Sequence, residues 1–308
     1  MNLLPNLIIV GVAKSGTTSL FHQLKENPEI FIPEIKECRF FSQMSRDYRG
    51  GEAAKFQNEG PRDIKSYIKL FRNGKNKYLI DISNDYFYYY EKSIKNIKNT
   101  YKEFNLPEPK ILIILRNPIK RVYSMYHHII RLKSDNLDFN TAFAQSTKRI
   151  ENNFAWMFDL KGVGLSFKGC EAYLKNFNKV KFLLHDEFKK NNFMDSVYEF
   201  MELKKPNQNK ISISNQNDYI LPRNKGFNFV LSKLKELFFN FVDIPNKKNS
   251  LVFKTLKKIY IFILNINKQK SVSTLEKSQI EMLSNFYRDD INKLSTLLKI
   301  DLTHWLSS

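Results

Sequence analysis

Cysteine is nearly missing from this chain: Cys38 and Cys170 are the only two in 308 residues. That excludes a disulfide framework and fits a reducing compartment. Long apolar runs are missing too. None approaches the ~18 uncharged residues a membrane-spanning helix needs. The opening MNLLPNLIIVGVAKSG lacks the basic start, apolar stretch and small-residue cleavage site of a signal peptide. A cytoplasmic, soluble protein is therefore expected. No His, Cys, Asp or Glu cluster has metal-ligand spacing, and Cys38 has no CxxC partner, so no metal is expected. No internal repeat is visible.

Acidic residues are the scarce charge, 31 against 50 Lys and Arg, for a formal net charge of +19. Such an excess favours anionic partners: nucleotides, acidic glycans, nucleic acid or an anionic membrane. It is also what a Lys-, Ile- and Asn-rich composition produces by itself, so it bears on partner class and not on fold. Hydrophobic residues make up 42% and aromatics 14%. That excludes a disordered chain, and the length suffices for a sizeable core.

Short apolar runs fall at 7–12, 78–82, 110–115 and 180–184, each bounded by polar residues as buried parallel strands are. Stretches with helical spacing lie between them at 17–26, 91–103, 118–133 and 166–177. Strands alternating with helices predict a doubly wound parallel α/β sheet flanked by helices. The stretch 43–63, with Gly50-Gly51 and Gly60-Pro61, reads as an irregular surface excursion. It and 134–165 are the expected substrate-facing loops. From about residue 225 the segments 228–241, 252–266 and 275–299 read as helices. In the last, Ile280, Leu283, Phe286, Ile291, Leu294 and Leu298 give one apolar face. The expectation is one domain, an α/β core over 1–224 with a helical part over 225–308.

The chemistry concentrates at Gly11-Val12-Ala13-Lys14-Ser15-Gly16-Thr17-Thr18-Ser19. A glycine-rich turn between a buried strand and a helix aims several backbone N–H groups, and the helix dipole, at one point where an anion can sit. Gly11 and Gly16 permit the turn; Ser15, Thr17, Thr18 and Ser19 supply hydroxyls and Lys14 supplies charge. The nucleoside-triphosphatase loop GxxxxGK[ST] places its Lys after the second Gly. Here Thr17 follows Gly16 and the Lys lies inside the loop. A Lys there can neutralise a bridging oxygen without Mg²⁺, which favours transfer from a nucleotide anhydride over ATP hydrolysis.

This loop closely resembles the 5′-phosphosulfate loop of sulfotransferases that use 3′-phosphoadenylyl sulfate (PAPS). Arg116-Asn117-Pro118-Ile119-Lys120-Arg121-Val122-Tyr123-Ser124 is similar to the family's 3′-phosphate motif, R-x-P-x-x-R-x-x-S, and directly follows the run 110–115. Arg116 falls at a strand's carboxyl end, where ligands bind in open α/β sheets, and Pro118 suits a first helical turn. Lys36-Glu37-Cys38-Arg39-Phe40-Phe41 resembles the K-E-x-H-F-F element of the glycan-type branch, and Asp81-Ile82-Ser83-Asn84-Asp85-Tyr86 its E-x-S-P-x-Y segment. The tail Asp301-Leu302-Thr303-His304-Trp305-Leu306 is similar to one common in bacterial members. Arg223-Asn224-Lys225-Gly226-Phe227 resembles a later element that reaches the 3′-phosphate. Three positions depart from the pattern: Arg39 for His, Asn84 for Pro, and Ser166 where Tyr is common.

The resemblance implies a P-loop-type fold and sulfuryl transfer from PAPS to an acceptor hydroxyl or amine, leaving adenosine 3′,5′-bisphosphate. It implies Glu37 as base and Lys14 as the stabiliser of the bridging oxygen. Donor binding then falls to Lys14, Ser15, Gly16, Thr17, Thr18, Ser19, Arg116, Ser124, Lys225 and Gly226. Lys36, Arg39 and His127 are the expected acceptor contacts. His127 and His128 are adjacent on one helix, so at most one faces the cleft. The acceptor implied is a glycan or another small molecule, and an acidic one suits the charge; no nucleic-acid partner is expected. Two alternatives stand beside this reading. One is a P-loop kinase acting on a small molecule. The other is a non-enzymatic basic protein using 251–264, LVFKTLKKIYIFIL, on an anionic membrane surface.

Overall fold

Short apolar strands separated by helices can satisfy their backbone only by pairing side by side, with helices covering both faces. The computed structural model describes residues 3–42, 47–75, 77–188, 190, 192–206, 219–222, 268–271 and 274–307. Five strands form its main sheet: β1 (Leu7–Gly11), β2 (Ile30–Phe31), β3 (Tyr78–Ile82), β4 (Lys110–Leu115) and β5 (Val180–Leu184), in the order β2-β3-β1-β4-β5. All neighbours run parallel. Four of these strands match the apolar runs. The two-residue β2 carries too little pattern to be read from sequence.

Alternation along each strand divides the core in two. Ile8, Val10, Ile111 and Ile113 face one layer, packed with Ile97, Met125, Tyr173 and Leu283. Leu7, Ile9, Leu112 and Ile114 face the other, packed with Leu20, Leu24, Val197 and Met201. The first layer is built by α5 (Tyr90–Glu103), α6 (Pro118–Arg131), α10 (Phe167–Asn176) and α12 (Lys277–Leu298). The second is built by α1 (Thr17–Lys25) and α11 (Asn192–Met201). Each fully buried Leu or Ile contributes about 1.5–3 kcal/mol.

Two stretches read as loops are helical. Gly50-Gly51 does not break the chain but launches α2 (Gly51–Asn58), with Gly50 capping it at a φ of 113°. Ser134 Oγ accepts from the Ala53 N–H at 2.8 Å, and Ala53 and Ala54 are buried. After it come α3 (Ile64–Lys69) and α4 (Asp85–Tyr88). The segment 134–165 holds α7 (Phe139–Ala144), α8 (Ser146–Glu151) and α9 (Leu160–Gly164). Asp138 and Asp159 cap α7 and α9 through their side chains, a signal hidden by the shortness of these helices. On α12 the buried stripe runs Leu283, Tyr287, Ile291, Leu294, while Phe286 is exposed.

The chain forms two compact units, Met1–Ser214 with Leu275–Ser308, and Asn215–Thr274. In the second, β6 (Tyr219–Pro222) pairs antiparallel with β7 (Lys268–Ser271), a ribbon the helical reading of this part did not foresee. The expected helices 228–241 and 252–266, and the basic segment 251–264, lie outside the described residues, as do Lys225 and Gly226.

The C-terminal tail braces the layer that carries the site. Leu302 and Trp305 are buried, the Trp305 carbonyl accepts from Asn117 Nδ2 at 3.1 Å, and Ser284 Oγ donates to the Leu306 carbonyl at 2.8 Å. Tyr287 Oη donates to the carbonyls of Leu160 and Lys161, both at 3.0 Å. A Cβ on Gly164 would overlap that hydroxyl. Gly164→Ala is therefore expected to destabilise the protein by about 1–3 kcal/mol, the usual range for overpacking, read as a lower urea midpoint. An unchanged midpoint would show that Tyr287 does not fix α9 against α12.

Candidate active site

The strand order places a topological switch between β1 and β4: the chain leaves β1 toward one edge and β4 toward the other. A crevice opens at their carboxyl ends, where ligands bind in such sheets. The loop 11–16 lies there. Gly11, Lys14 and Gly16 have φ values of 131°, 64° and 89°, a run of left-handed conformations that turns the loop back on itself. Gly16 caps α1 with no side-chain hydrogen bond, and no acidic residue stands in the first turn. The helix's leading N–H groups thus have no side-chain cap, the arrangement that suits an anion. Thr17 is buried and Thr18 exposed at the helix start. Ser15 is buried with its Oγ donating to the Val12 carbonyl at 2.6 Å. Its hydroxyl is thereby engaged within the loop.

Arg116, one residue beyond β4, donates from Nη1 to the Lys14 carbonyl. The two sequence motifs, 102 residues apart, therefore meet in one place. Asn117 caps α6, its Oδ1 accepting from Ile119 N–H at 2.9 Å, with Pro118 opening the helix as expected. Ser124 is buried and its Oγ has no partner among the described residues. Arg121 is equally buried. Its Nη2 reaches Ser166 Oγ at 3.1 Å, while Nε and Nη1 meet no described partner. Burial first, opposed by Tyr287 and Asp290, brings its pKa down to about 10. Unsatisfied buried donors are costly, and these fit a phosphate monoester. Ser166, where the resemblance leads one to look for Tyr, is thus an Arg121 ligand.

Glu37 follows β2 and reaches the same crevice because its loop is pinned to the end of β3. The Glu37 N–H donates to the Ile82 carbonyl at 2.9 Å and the Arg39 N–H to Ser83 Oγ at 3.2 Å. Beneath them Asp81, fully buried, accepts from Tyr67 Oη at 2.7 Å, Ser83 Oγ at 2.8 Å and Tyr86 Oη at 2.9 Å. Tyr86 Oη in turn accepts from the N–H groups of Phe40 and Phe41. The Asp81–Ser83–Tyr86 motif is thus an anchor for the loop bearing Glu37. The Glu37 carboxylate accepts from Arg39 Nη2 at 2.8 Å, Lys36 Nζ at 3.2 Å and Asn84 Nδ2 at 2.9 Å. Burial alone would raise its pKa; the charges of Lys36 and Arg39 outweigh it and hold the group at about 2.

Of the two adjacent histidines, His127 is buried with its ring edge-on to Tyr123, centroids 4.4 Å apart, and near Tyr126. His128 instead neighbours the Lys14 and Glu37 charges. Burial, Lys14 and Arg131 hold its pKa near 4, so its ring is neutral. Arg131 Nη2 lies 3.0 Å from its Nδ1. Guanidinium can only donate, which places the His128 proton on Nε2. Ser124, His128 and Arg131 share one helix face at i, i+4 and i+7. That spacing is the sequence signal that sets His128, and not His127, on the Ser124 face. Lys14 has its pKa lowered to about 8, by burial foremost and then by Arg131 and Arg116. Among the described residues no three His, Cys, Asp or Glu side chains converge as metal ligands.

A parallel five-stranded sheet with a glycine loop at its switch point is a P-loop-type architecture. Over residues 4–259 the chain matches the sulfotransferase domain model, and it belongs to that family. The crystal structure of a sulfotransferase from Alicyclobacillus acidocaldarius superposes with a TM-score of 0.72 over 98% of both chains, at 24% identity, showing the shared fold. The membrane-associated sulfotransferase kil1 of Dictyostelium discoideum is 27% identical over 142 residues, 44% of this chain and 26% of that protein. Carbohydrate sulfotransferase 15 of Rattus norvegicus is 23% identical over 185 residues, 49% of this chain and 32% of that protein. The matches thus span less than a third of either relative's length.

Below pH about 8 Lys14 is charged and attracts an anion; above it the free amine does not. Affinity for adenosine 3′,5′-bisphosphate should therefore fall as pH rises through about 8. In Lys14→Arg, whose guanidinium stays charged, that fall should vanish. Calorimetric titrations across this range check it, and a wild-type affinity that stays flat would remove Lys14 from the anion site.

Proposed function

We propose that the protein transfers a sulfuryl group from PAPS to a hydroxyl or amine of an acceptor, in the first instance a carbohydrate, releasing adenosine 3′,5′-bisphosphate. The observation that carries this reading is the hydrogen bond from Arg116 to the Lys14 carbonyl, which unites the loop suited to a 5′-phosphosulfate with the residues suited to a 3′-phosphate. The leading N–H groups of α1, with Lys14, Thr17 and Thr18, hold the phosphosulfate. Arg116 and Ser124 hold the 3′-phosphate, with Arg121 supplying further donors at the buried side. Lys225 and Gly226 are assigned to the same phosphate by resemblance. The two free, buried cysteines suit a reducing compartment, and we place the reaction in the cytoplasm.

In the transfer, the acceptor oxygen or nitrogen forms a bond to sulfur as sulfur's bond to the bridging oxygen breaks. Negative charge grows on that oxygen, where the Lys14 ammonium lies in wait. The acceptor's proton passes to Glu37. A carboxylate held near pKa 2 is a weak base, so it takes the proton late, when bonding to sulfur has made the acceptor acidic. Lys36 and Arg39 keep that carboxylate ionised and oriented. His128, neutral and with its Nε2 proton, is a donor to the sulfuryl oxygens.

Removing one positioned charge of this kind typically costs roughly 3–4 kcal/mol, a rate factor of hundreds to thousands. Lys14→Ala should lose about that much turnover and far less bisphosphate affinity; equal losses in both would contradict its role at the bridging oxygen. Glu37→Gln should keep bisphosphate binding and lose transfer, and retained transfer would move the base elsewhere. The activity itself is tested with ³⁵S-labelled PAPS and an acceptor panel in the presence of a chelator. Label is expected in an acceptor, with no label transferred by a heat-treated control. Transfer of a nucleotide's γ-phosphate instead would favour a kinase.

A further inference from the structure

The acceptor has so far been a class without a place, and the following rests on the sulfuryl-transfer reading. A cavity of about 450 Å³ begins at Val12, Ala13 and Asn84, immediately beside Lys14 in sequence, and runs out between α4, α9, α10 and α12. Its walls are largely aromatic, with Phe87, Tyr88, Trp156, Phe167 and Phe286. Flat apolar rings of this kind stack on the faces of small cyclic ligands, and the volume lies in the range of small-molecule sites. Phe286, exposed on α12 and displaced from its helix's core stripe by Tyr287, finds its use at this wall.

The polar groups of the cavity are mainly acceptors. Asp159, Asp289 and Asp290 stand against Lys168 and Lys293, and Lys293 is paired with Asp289 at 2.7 Å. Asp290 accepts from the N–H groups of Ser166 and Phe167, and Asp159 from Tyr88 Oη and Gly162 N–H. A carboxylate has lone pairs beyond those two. The lining is therefore slightly acidic, opposite in sign to the chain as a whole. Donor-rich, uncharged or cationic ligands suit it, and anionic ones are repelled.

Asn84 joins this cavity to the reaction centre. Its Nδ2 donates to Glu37 Oε1 at 2.9 Å, and the amide must point this way because its oxygen would repel the carboxylate. Asn84 is only 7% exposed, and its Oδ1 accepts from no described residue. A buried acceptor left unpaired costs about 1–3 kcal/mol, so this wall lacks a donor. A phenol has one hydroxyl to offer and would leave the other acceptors idle; a sugar ring presents several around a stackable face.

We propose that the cavity takes the acceptor as a neutral or amino-bearing sugar no larger than a disaccharide, and that Asn84 is its positioning residue. Oδ1 accepts from one sugar hydroxyl while Nδ2 keeps Glu37 turned toward the neighbouring one. The test is calorimetry on the full chain saturated with adenosine 3′,5′-bisphosphate, titrated with cellobiose, lactose, chitobiose, N,N′-diacetylchitobiose and a uronate-bearing disaccharide. At least one neutral or amino sugar should bind, more tightly than the uronate. Asn84→Ala should weaken it by about five- to tenfold, the usual worth of one such hydrogen bond, with bisphosphate affinity unchanged. Phe286→Ala, at an exposed position whose ring also meets Phe143 edge-on, should also weaken the sugar, with retained bisphosphate affinity showing that the variant is folded. No sugar binding by the wild type, tightest binding by the uronate, or sugar affinity indifferent to both substitutions overturns the proposal. Sugar binding without bisphosphate binding would overturn the donor reading alone.

Discussion

The site hangs on one hydrogen bond, from the Arg116 guanidinium to the carbonyl of Lys14. It exists because β1 and β4 are neighbours in the sheet, so that chain leaving each strand emerges into the same crevice. Lys14 sits in a left-handed conformation that a side chain adopts at some cost. Arg116 secures its carbonyl from the far side of the crevice, so the ammonium is presented from a held backbone. The tail closes the arrangement from behind, with Trp305 tied to the cap of the helix that follows Arg116.

Electrostatics in the crevice are arranged around opposing tendencies. Burial first, and then the positive charges of Arg131 and Arg116, lowers the Lys14 pKa, while burial, Lys14 and Arg131 keep His128 neutral. An anion placed among these cations would relieve their mutual repulsion. Glu37 is the counterweight, clasped by Lys36, Arg39 and Asn84. Arg39 and Asn84 are two of the three positions where this chain departs from the family pattern, and both contact the same carboxylate. The departures are therefore coupled: they rebuild the setting of one group.

Much of the fold was legible because strand and helix signals are local. The runs at 7–12 and 110–115 carry their own burial pattern, and the loop after each carries its own turn chemistry. What stayed hidden depends on contacts distant in sequence. Glu37 and Asn84 meet across 47 residues, and no spacing rule connects them. The Asp81 anchor reads as a motif in sequence but acquires a reason only when Tyr67 and the Phe40 and Phe41 amides arrive. Gly50-Gly51 was ambiguous because the same conformational freedom ends one helix and begins another. That His128 rather than His127 neighbours Lys14 and Glu37 was within reach, since Ser124 fixes the phase of the helix.

The sulfuryl-transfer reading requires the two motifs to form one nucleotide site. A crystal structure with adenosine 3′,5′-bisphosphate tests this most directly. The 5′-phosphate should lie over the start of α1, within hydrogen-bond reach of Lys14 and Thr17, and the 3′-phosphate on Arg116 and Ser124. A nucleotide bound with its 3′-phosphate away from Arg116, or bound outside the crevice between β1 and β4, would contradict it.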